Sequence, residues 1–386
     1  MIKHLSYIVL AVLVITACSK GNPAPEQVGS FVKFYGENSI TKGIDVKQLP
    51  DGGYAAIGTT LTPAGDSDIY LIRTDKFGNK IWDKNIGTSN NETANSLVLQ
   101  DDGSIIILGN TSVSSIISNI FLVKTNGNGD IQWSRIIGGT ESLIGYCIQK
   151  TKSNEFVIAG SYINASGFKN AMLLFTDNYG NNPNYAKSTS ASYNNEASYV
   201  IERNDGAFMF IGYSQNTISS LSGVYIDLVS KDKIYANLSL YFGISGDYGN
   251  CIRQLNDTIF YFSANSGNNI AITKLKHKDY ISDSISWEKT ISGTGKYYVN
   301  SIELSTNNGI ALTGSISNTD GTQNIIFSKF DTNGNQLSNG LFGNFGNQSA
   351  AKIVNTSDNG FILVGTNFLK GNSVLSLIKV KNSGNL

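Results

Sequence analysis

Tyr54-Ala-Ala-Ile-Gly58, Ile105-Ile-Ile-Leu-Gly109, Phe156-Val-Ile-Ala-Gly160 and Phe208-Met-Phe-Ile-Gly212 repeat one phrase, a short apolar run closed by glycine. It continues as Ile259-Phe-Tyr-Phe-Ser-Ala264, Ile310-Ala-Leu-Thr-Gly314 and Phe361-Ile-Leu-Val-Gly365. Successive copies lie 51, 51, 52, 52, 50 and 51 residues apart. A period this constant marks a repeat architecture in which each unit buries its apolar faces against its neighbours. A second series, Val46, Leu97, Ile148, Val200, Ile252, Ile302 and Ile353, keeps the same intervals. Three places before each stands Gly43, Ala94, Gly145, Ala197, Gly249, Val299 or Ala350, small in six of seven cases. Crowding beside a central axis would account for that choice.

Each unit reads as four strands. In the second they are Ala94 to Gln100, Ser104 to Gly109, Asn119 to Thr125 and Ile131 to Ile137. The turn before the last strand is written Asp75-Lys-Phe-Gly78-Asn79, Asn126-Gly-Asn-Gly129-Asp130, Asp177-Asn-Tyr-Gly180-Asn181 and Asp331-Thr-Asn-Gly334-Asn335. The Asx side chain caps such a turn, and glycine takes its positive-φ position. Calcium is the competing use of these residues, but one or two carboxylates per turn are too few for a cation that takes six to eight oxygens.

Four strands in each of seven units predict an all-β fold, a seven-bladed β-propeller of four-stranded blades. Val28 to Leu386 holds 359 residues, about 51 for each blade. The seventh unit stops where its fourth strand should begin. The missing strand is found at the other end, as Phe31-Val-Lys-Phe-Tyr-Gly36, which aligns with Trp82-Asp-Lys-Asn-Ile-Gly87. The N-terminal strand should therefore complete the last blade and remove an open sheet edge.

The domain plan is 1–17 signal peptide, 18–27 lipidated tether and 28–386 propeller. Met1-Ile2-Lys3-His4 precedes an apolar run, Leu5 to Ala17, that is too short to span a bilayer. The run ends in Ile15-Thr16-Ala17-Cys18, which resembles the lipobox of bacterial lipoproteins, where cleavage leaves an N-terminal, lipid-modified cysteine. The resemblance implies a lipid on Cys18, palmitate among its acyl chains, and a cell-envelope location at the outer membrane. The glycine- and asparagine-rich style is similar to propeller lipoproteins of Bacteroidota. Gly78-Asn-Lys-Ile-Trp82 and Gly129-Asp-Ile-Gln-Trp133 resemble the PQQ-type, quinoprotein-like propeller repeat, in which the tryptophan docks on the next blade. Tryptophan occurs only at positions 82, 133 and 287, and the Asp-to-Gly interval is one residue shorter than in that repeat. The spacing matches neither the sialidase Asp-box nor kelch, since the Gly52-Gly53 doublet belongs to one blade.

Composition excludes more than it names. The 386 residues carry 29 basic and 29 acidic side chains, so no basic field points to nucleic acid. Glycine (40) and asparagine (44) are abundant and proline (5) is scarce, as short strands and tight turns require. With His4 in the signal segment, His277 alone would remain, which argues against histidine metal sites and histidine-based nucleophilic catalysis. His277, in Lys276-His-Lys-Asp279, reads as a solvated turn residue. Cys147 and Cys251 share one slot of two non-adjacent repeats and read as buried free thiols. They lack the adjacency and acidic cluster that the quinoprotein resemblance would need, so no cofactor is implied.

The connections between blades should gather on one face, around the axial opening, and supply the candidate ligand-binding rim. It comprises Asn91, Glu92, Glu141, Tyr193, Asn195, Glu196, Tyr248, Tyr297 and Tyr298. Tyrosine offers flat area and asparagine both donor and acceptor. Glu92 and Glu196 read as occupying matching places two blades apart, too far for paired acid–base chemistry. The sequence therefore points to a monomeric, membrane-anchored, non-catalytic module for protein interaction or assembly. A surface binder of glycan or peptide is the alternative, and a carbohydrate-active enzyme comes third. An aromatic-floored axial pocket would favour the binder, and an exposed apolar face the assembly module.

Overall fold

A computed structural model describes residues 29–36, 40–190, 193–217, 222–235, 247–277, 284–343 and 346–385. Cys18 and the signal and tether segments lie outside those residues. The chain is a seven-bladed β-propeller. The second blade shows the plan: Asn91–Leu99 innermost, then Ile105–Ser112, Ser118–Thr125 and Ile131–Ile137, paired antiparallel in that order. The innermost strands of the other blades are Thr41–Gln48, Leu143–Lys150, Tyr193–Glu202, Tyr248–Asn256, Lys296–Leu304 and Ser349–Asn355. Blade 4 has three described strands, and residues 236–246, where its fourth would run, lie outside the described set.

The ring closes as the sequence predicts. Phe31–Tyr35 pairs antiparallel with Asn372–Val380, from Phe31 opposite Lys379 to Tyr35 opposite Leu375. The last blade is thus built from both ends of the chain. The polypeptide enters it on the face of the Asx-Gly turns and leaves the strand toward the opposite face, that of the inter-blade connections.

The core lies between blades. Ile57, Ile69 and Leu71 of blade 1 pack with Leu97, Ile107 and Phe121 of blade 2 in one buried cluster. Each repeat turn is a socket for the neighbouring blade. A Cβ added at Gly129 would stand 2.7 Å from the Trp82 ring, and one at Gly180 would stand 3.1 Å from Trp133. Phe31 occupies the tryptophan position opposite Gly78, at 2.7 Å by the same measure. In the turn itself Asp75 Oδ1 accepts the Phe77 and Asn79 amides at 2.9 and 2.8 Å. That is the predicted Asx cap.

Each innermost strand carries a bulge at the same place, the first between Gly43 and Asp45 and the last between Ala350 and Lys352. A bulge puts two successive side chains on one side of the strand. It also explains the glycine that ends the repeat phrase. A Cβ at Gly314 would run into Tyr298 O and one at Gly212 into Glu196 O, carbonyls of the innermost strand of the same blade. The small residues three places before the apolar series are explained differently from the sequence expectation. They do not crowd the axis. A Cβ at Gly43 would strike Gly365 O, and one at Gly249 would strike Ile211, both on the second strand of the preceding blade.

Candidate functional site

The predicted rim does not come together as one site. Glu92 is fully buried, and its carboxylate accepts Thr88 N at 2.8 Å, Thr88 Oγ1 at 2.7 Å and Thr111 Oγ1 at 2.6 Å. It is an internal brace of blade 2. Glu92 and Glu196 are not equivalent, which corrects the sequence reading. Glu92 lies opposite Thr111, two places before Ala94, whereas Glu196 lies one place before Ala197. The partner of Glu92 by register is Asn195, buried and bonded to Ser214 Oγ at 2.6 Å. The sequence reading matched the two Asn-Asn-Glu triplets, 104 residues apart, although the repeat intervals of 51 and 52 place Asn195 at the Glu92 position.

The remaining rim residues divide. Asn91 accepts Ser67 N at 2.9 Å, and Glu141 pairs with Lys187 at 2.6 Å, so both tie neighbouring loops together. Tyr193 is exposed, and Tyr297 is half-buried with its amide donated to Asn268 O. Glu196, Tyr248 and Tyr298 share the position just before the small residue, above the axial cavity, with Lys42, Thr93, Ile144 and Ser349 in the other blades. There Glu196 accepts Tyr146 Oη at 3.0 Å and Lys169 Nζ at 3.1 Å. Tyr248 stacks on Tyr213 with centroids 5.8 Å apart, and burial together with Glu196 pushes its phenol well above the ordinary value.

Below this mouth the bulge residues of all seven blades line a cavity of about 220 Å³, two each from blades 1 to 4 and 7 and one each from blades 5 and 6. Its upper wall is Ile44, Asn95, Tyr146, Ser198, Asn250, Asn300 and Ala351, and its lower wall includes Asp45, Ser96, Cys147, Tyr199 and Lys352. The floor crosses the channel. Lys352 Nζ from blade 7 lies 4.4 Å from the centroid of the Tyr199 ring of blade 4, and Arg253 approaches the same ring at 4.8 Å. Gln149 donates to Tyr199 Oη at 3.1 Å. Burial raises the Tyr199 phenol to about 12 against the pull of both cations.

The two cations are not in the same situation. Arg253 holds Glu303 at 3.2 Å and also donates to Cys251 Sγ at 3.0 Å. Asp45, beside Lys352 in the ring, is already satisfied by Val46 N at 2.8 Å, Leu97 N at 3.0 Å and Ser96 Oγ at 3.1 Å. The Lys352 side chain makes no ion pair or hydrogen bond among the described residues. Burial alone would lower its pKa, but Tyr199 and Asp45 outweigh that and keep it charged. Its contact with the Tyr199 face is worth about 1–2 kcal/mol.

Cys147 and Cys251 are free and buried, as expected, and burial pushes the Cys147 thiol up. His277 departs from expectation. It is 6% exposed, lies edge-on to Phe260 with centroids 5.9 Å apart, and has Nε2 2.9 Å from Arg203 Nη2. The charged neighbours suggested a solvated turn, but the ring fills a gap beside blade 5. Among the described residues no group of three His, Cys, Asp or Glu side chains is arranged to hold a metal. Sequence reasoning missed Asp45, Tyr199, Arg253, Glu303 and Lys352. The shared slot of the two cysteines was the available signal, since Asp45, Tyr199 and Lys352 occupy that slot too.

No family model matches the chain. The regulatory protein FlaEY of Caulobacter vibrioides is 26% identical over 119 residues, covering 27% of this chain and 12% of that protein. The match thus spans about an eighth of that protein's length. Among solved structures, a protein of unknown function from Dyadobacter fermentans superposes with a TM-score of 0.52 at 11% identity, covering 91% of this chain and 97% of the other. A Hadza microbial sialidase gives 0.52 at 12% identity over 86% and 74%, and the extracellular domains of Drosophila semaphorin 1b give 0.51 at 10% over 91% and 86%. This is a likeness of fold.

Proposed function

We propose that this chain is a cell-envelope lipoprotein, anchored by a lipid on Cys18, whose propeller is a non-catalytic module for protein interaction or assembly. The observation that carries the reading is an arc of exposed apolar side chains on the connection face of three consecutive blades. Leu61 and Phe368 each stand three places after the repeat glycine, at the ends of the second strands of blades 1 and 7, and are 42% and 44% exposed. Ile40 adjoins Leu61, whose amide donates to Ile40 O at 3.0 Å, and Val113 and Ile116 continue the arc on blade 2. Apolar side chains grouped on one face mark a contact surface more often than scattered ones do. The first described strand begins on the opposite face, at Phe31, so the chain's entry leaves the arc uncovered. The rim carboxylates are each engaged within the fold by hydrogen bonds or an ion pair, which speaks against their use in acid–base chemistry.

A second reading, a glycan or peptide binder at the axial mouth, draws on the Tyr213–Tyr248 stack beside Glu196. Purification of the lipidated protein from gently solubilised membranes separates the two. A stoichiometric companion, lost in a Leu61→Asp/Phe368→Asp double variant, is the expected result. Recovery of the wild type alone overturns the assembly reading. Cys18→Ala should move the protein out of the membrane fraction, and unchanged partitioning would overturn the anchor.

A further inference from the structure

Of the charged side chains on the axial channel, Lys352 alone has no hydrogen-bond or ion-pair partner among the described residues. Arg253 has Glu303, and Asp45 has two amides and a hydroxyl, while the Lys352 ammonium faces an aromatic ring and a polar cavity. The cavity's carboxamides have capacity to spare. Asn95 uses its oxygen on Asn110 Nδ2 and Thr93 Oγ1, which leaves its NH₂. Asn250 and Asn300 each spend one N–H on a backbone carbonyl, of Tyr248 and Ala350, which leaves a second N–H and the side-chain oxygen of both.

We infer that the axial cavity is a binding site for a small hydroxy-monocarboxylate, with its carboxylate on Lys352 Nζ and its hydroxyls on Asn95, Asn250 and Asn300. Size sets the class. About 220 Å³ is below the 300–1,000 Å³ of ordinary ligand pockets, which limits the ligand to a small molecule. Charge limits the valence. Neutral donors leave the Asp45 carboxylate charged, so it offsets Lys352 at a distance while the ammonium keeps its hydrogen-bonding capacity, and the single charge of a monoanion is tolerated better than that of a phosphate dianion. The unspent carboxamide groups, donors and acceptors both, suit hydroxyls. The ligand enters from the connection face, because Tyr199 and the Arg253–Glu303 pair close the channel below. The site is independent of the apolar arc, and either can fail without the other.

The test is isothermal titration of the full propeller with glycerate, gluconate, acetate, inorganic phosphate and neutral glycerol at constant ionic strength. At least one hydroxy acid should bind with a 1:1 ratio and at least threefold more tightly than acetate, with no binding of glycerol. Lys352→Met, which keeps the length of the side chain and removes the charge, should weaken that binding at least tenfold. Asn300→Asp replaces a carboxamide of the cavity wall with a carboxylate that repels an anion, and it should weaken that binding at least tenfold with the fold retained by circular dichroism. If Lys352→Met fails to fold, Asn300→Asp carries the test alone. Absence of binding by both hydroxy acids overturns the site. Tighter binding of phosphate overturns the monoanion assignment, and equal binding by wild type and a folded Lys352→Met overturns the role of the lysine.

Discussion

Ile302 and Ser301 are neighbours in the sequence and belong to different parts of the molecule. Ile302 sits in a slot that is filled in every blade by Val, Leu or Ile, and it is fully buried between sheets. Ser301 sits in the slot beside it, filled in turn by Asp45, Ser96, Cys147, Tyr199, Cys251, Ser301 and Lys352. It too is fully buried, but its hydroxyl has no hydrogen-bond partner. The inter-blade slot is repeated because each blade must bury the same face against the next. The axial slot has no such requirement, since seven side chains meet there and each has different neighbours. Repetition in this protein therefore reports packing, and the loss of repetition reports the place where a ligand could be selected.

Removal of residues 29–36 is the most severe challenge to the repeated part. It strips the outer strand from blade 7, empties the socket at Gly78 and exposes the edge of Asn372–Val380. A fall in melting temperature of about 10 °C or more, with aggregation, is expected by scanning calorimetry. An unchanged curve would mean that the ring does not depend on this closure. Next comes Gly314→Ala, whose Cβ must displace Tyr298 O, at an expected cost of about 2–4 kcal/mol in urea unfolding. Blade 5 carries Ala264 at the same slot, so Ala264→Gly should cost no more than about 1 kcal/mol.

The paired slots give the sharpest contrast. Ile302→Ala should lose about 2–5 kcal/mol through the cavity it leaves. Ser301→Ala should be neutral or stabilising, within about 1 kcal/mol, because the hydroxyl it removes is buried without a partner. Equal losses would erase the distinction between the two slots.

The smallest effect is a pH dependence within the repeated part. Asp358 is desolvated, which alone would raise its pKa, but hydrogen bonds from Thr356, Lys379 and Gly360 outweigh this and hold it below the ordinary carboxylate value. Lys379 is 1% exposed and lies 2.9 Å from Asp358. A carboxyl depressed in the folded state stabilises above its unfolded pKa and loses that contribution as pH falls through the folded value. Urea midpoints of wild type and Asp358→Asn should therefore differ above about pH 4 and converge below it. A difference that persists at low pH would assign the effect to packing instead.

The strands, their order in each blade, the seven-fold count and the closure by Phe31–Tyr35 were all legible in one dimension. They follow from local rules: period-two alternation, Asx-Gly turns, and an apolar face recurring at a fixed interval. The turn glycines and the tryptophans that fill the next blade's sockets were legible for the same reason. The axial site was not. Its members are separated by whole blades, and the bulge reverses the facing that simple alternation assigns to Ile44, Tyr146 or Asn300. The burial of Glu92 was hidden as well, because a carboxylate in a polar loop reads as solvated until three donors are found around it. Sequence by itself determined which faces of the strands are buried, since that depends on neighbours along the chain. Only the tertiary structure decided which side chains meet on the axis, since that depends on contacts between residues that the chain keeps far apart.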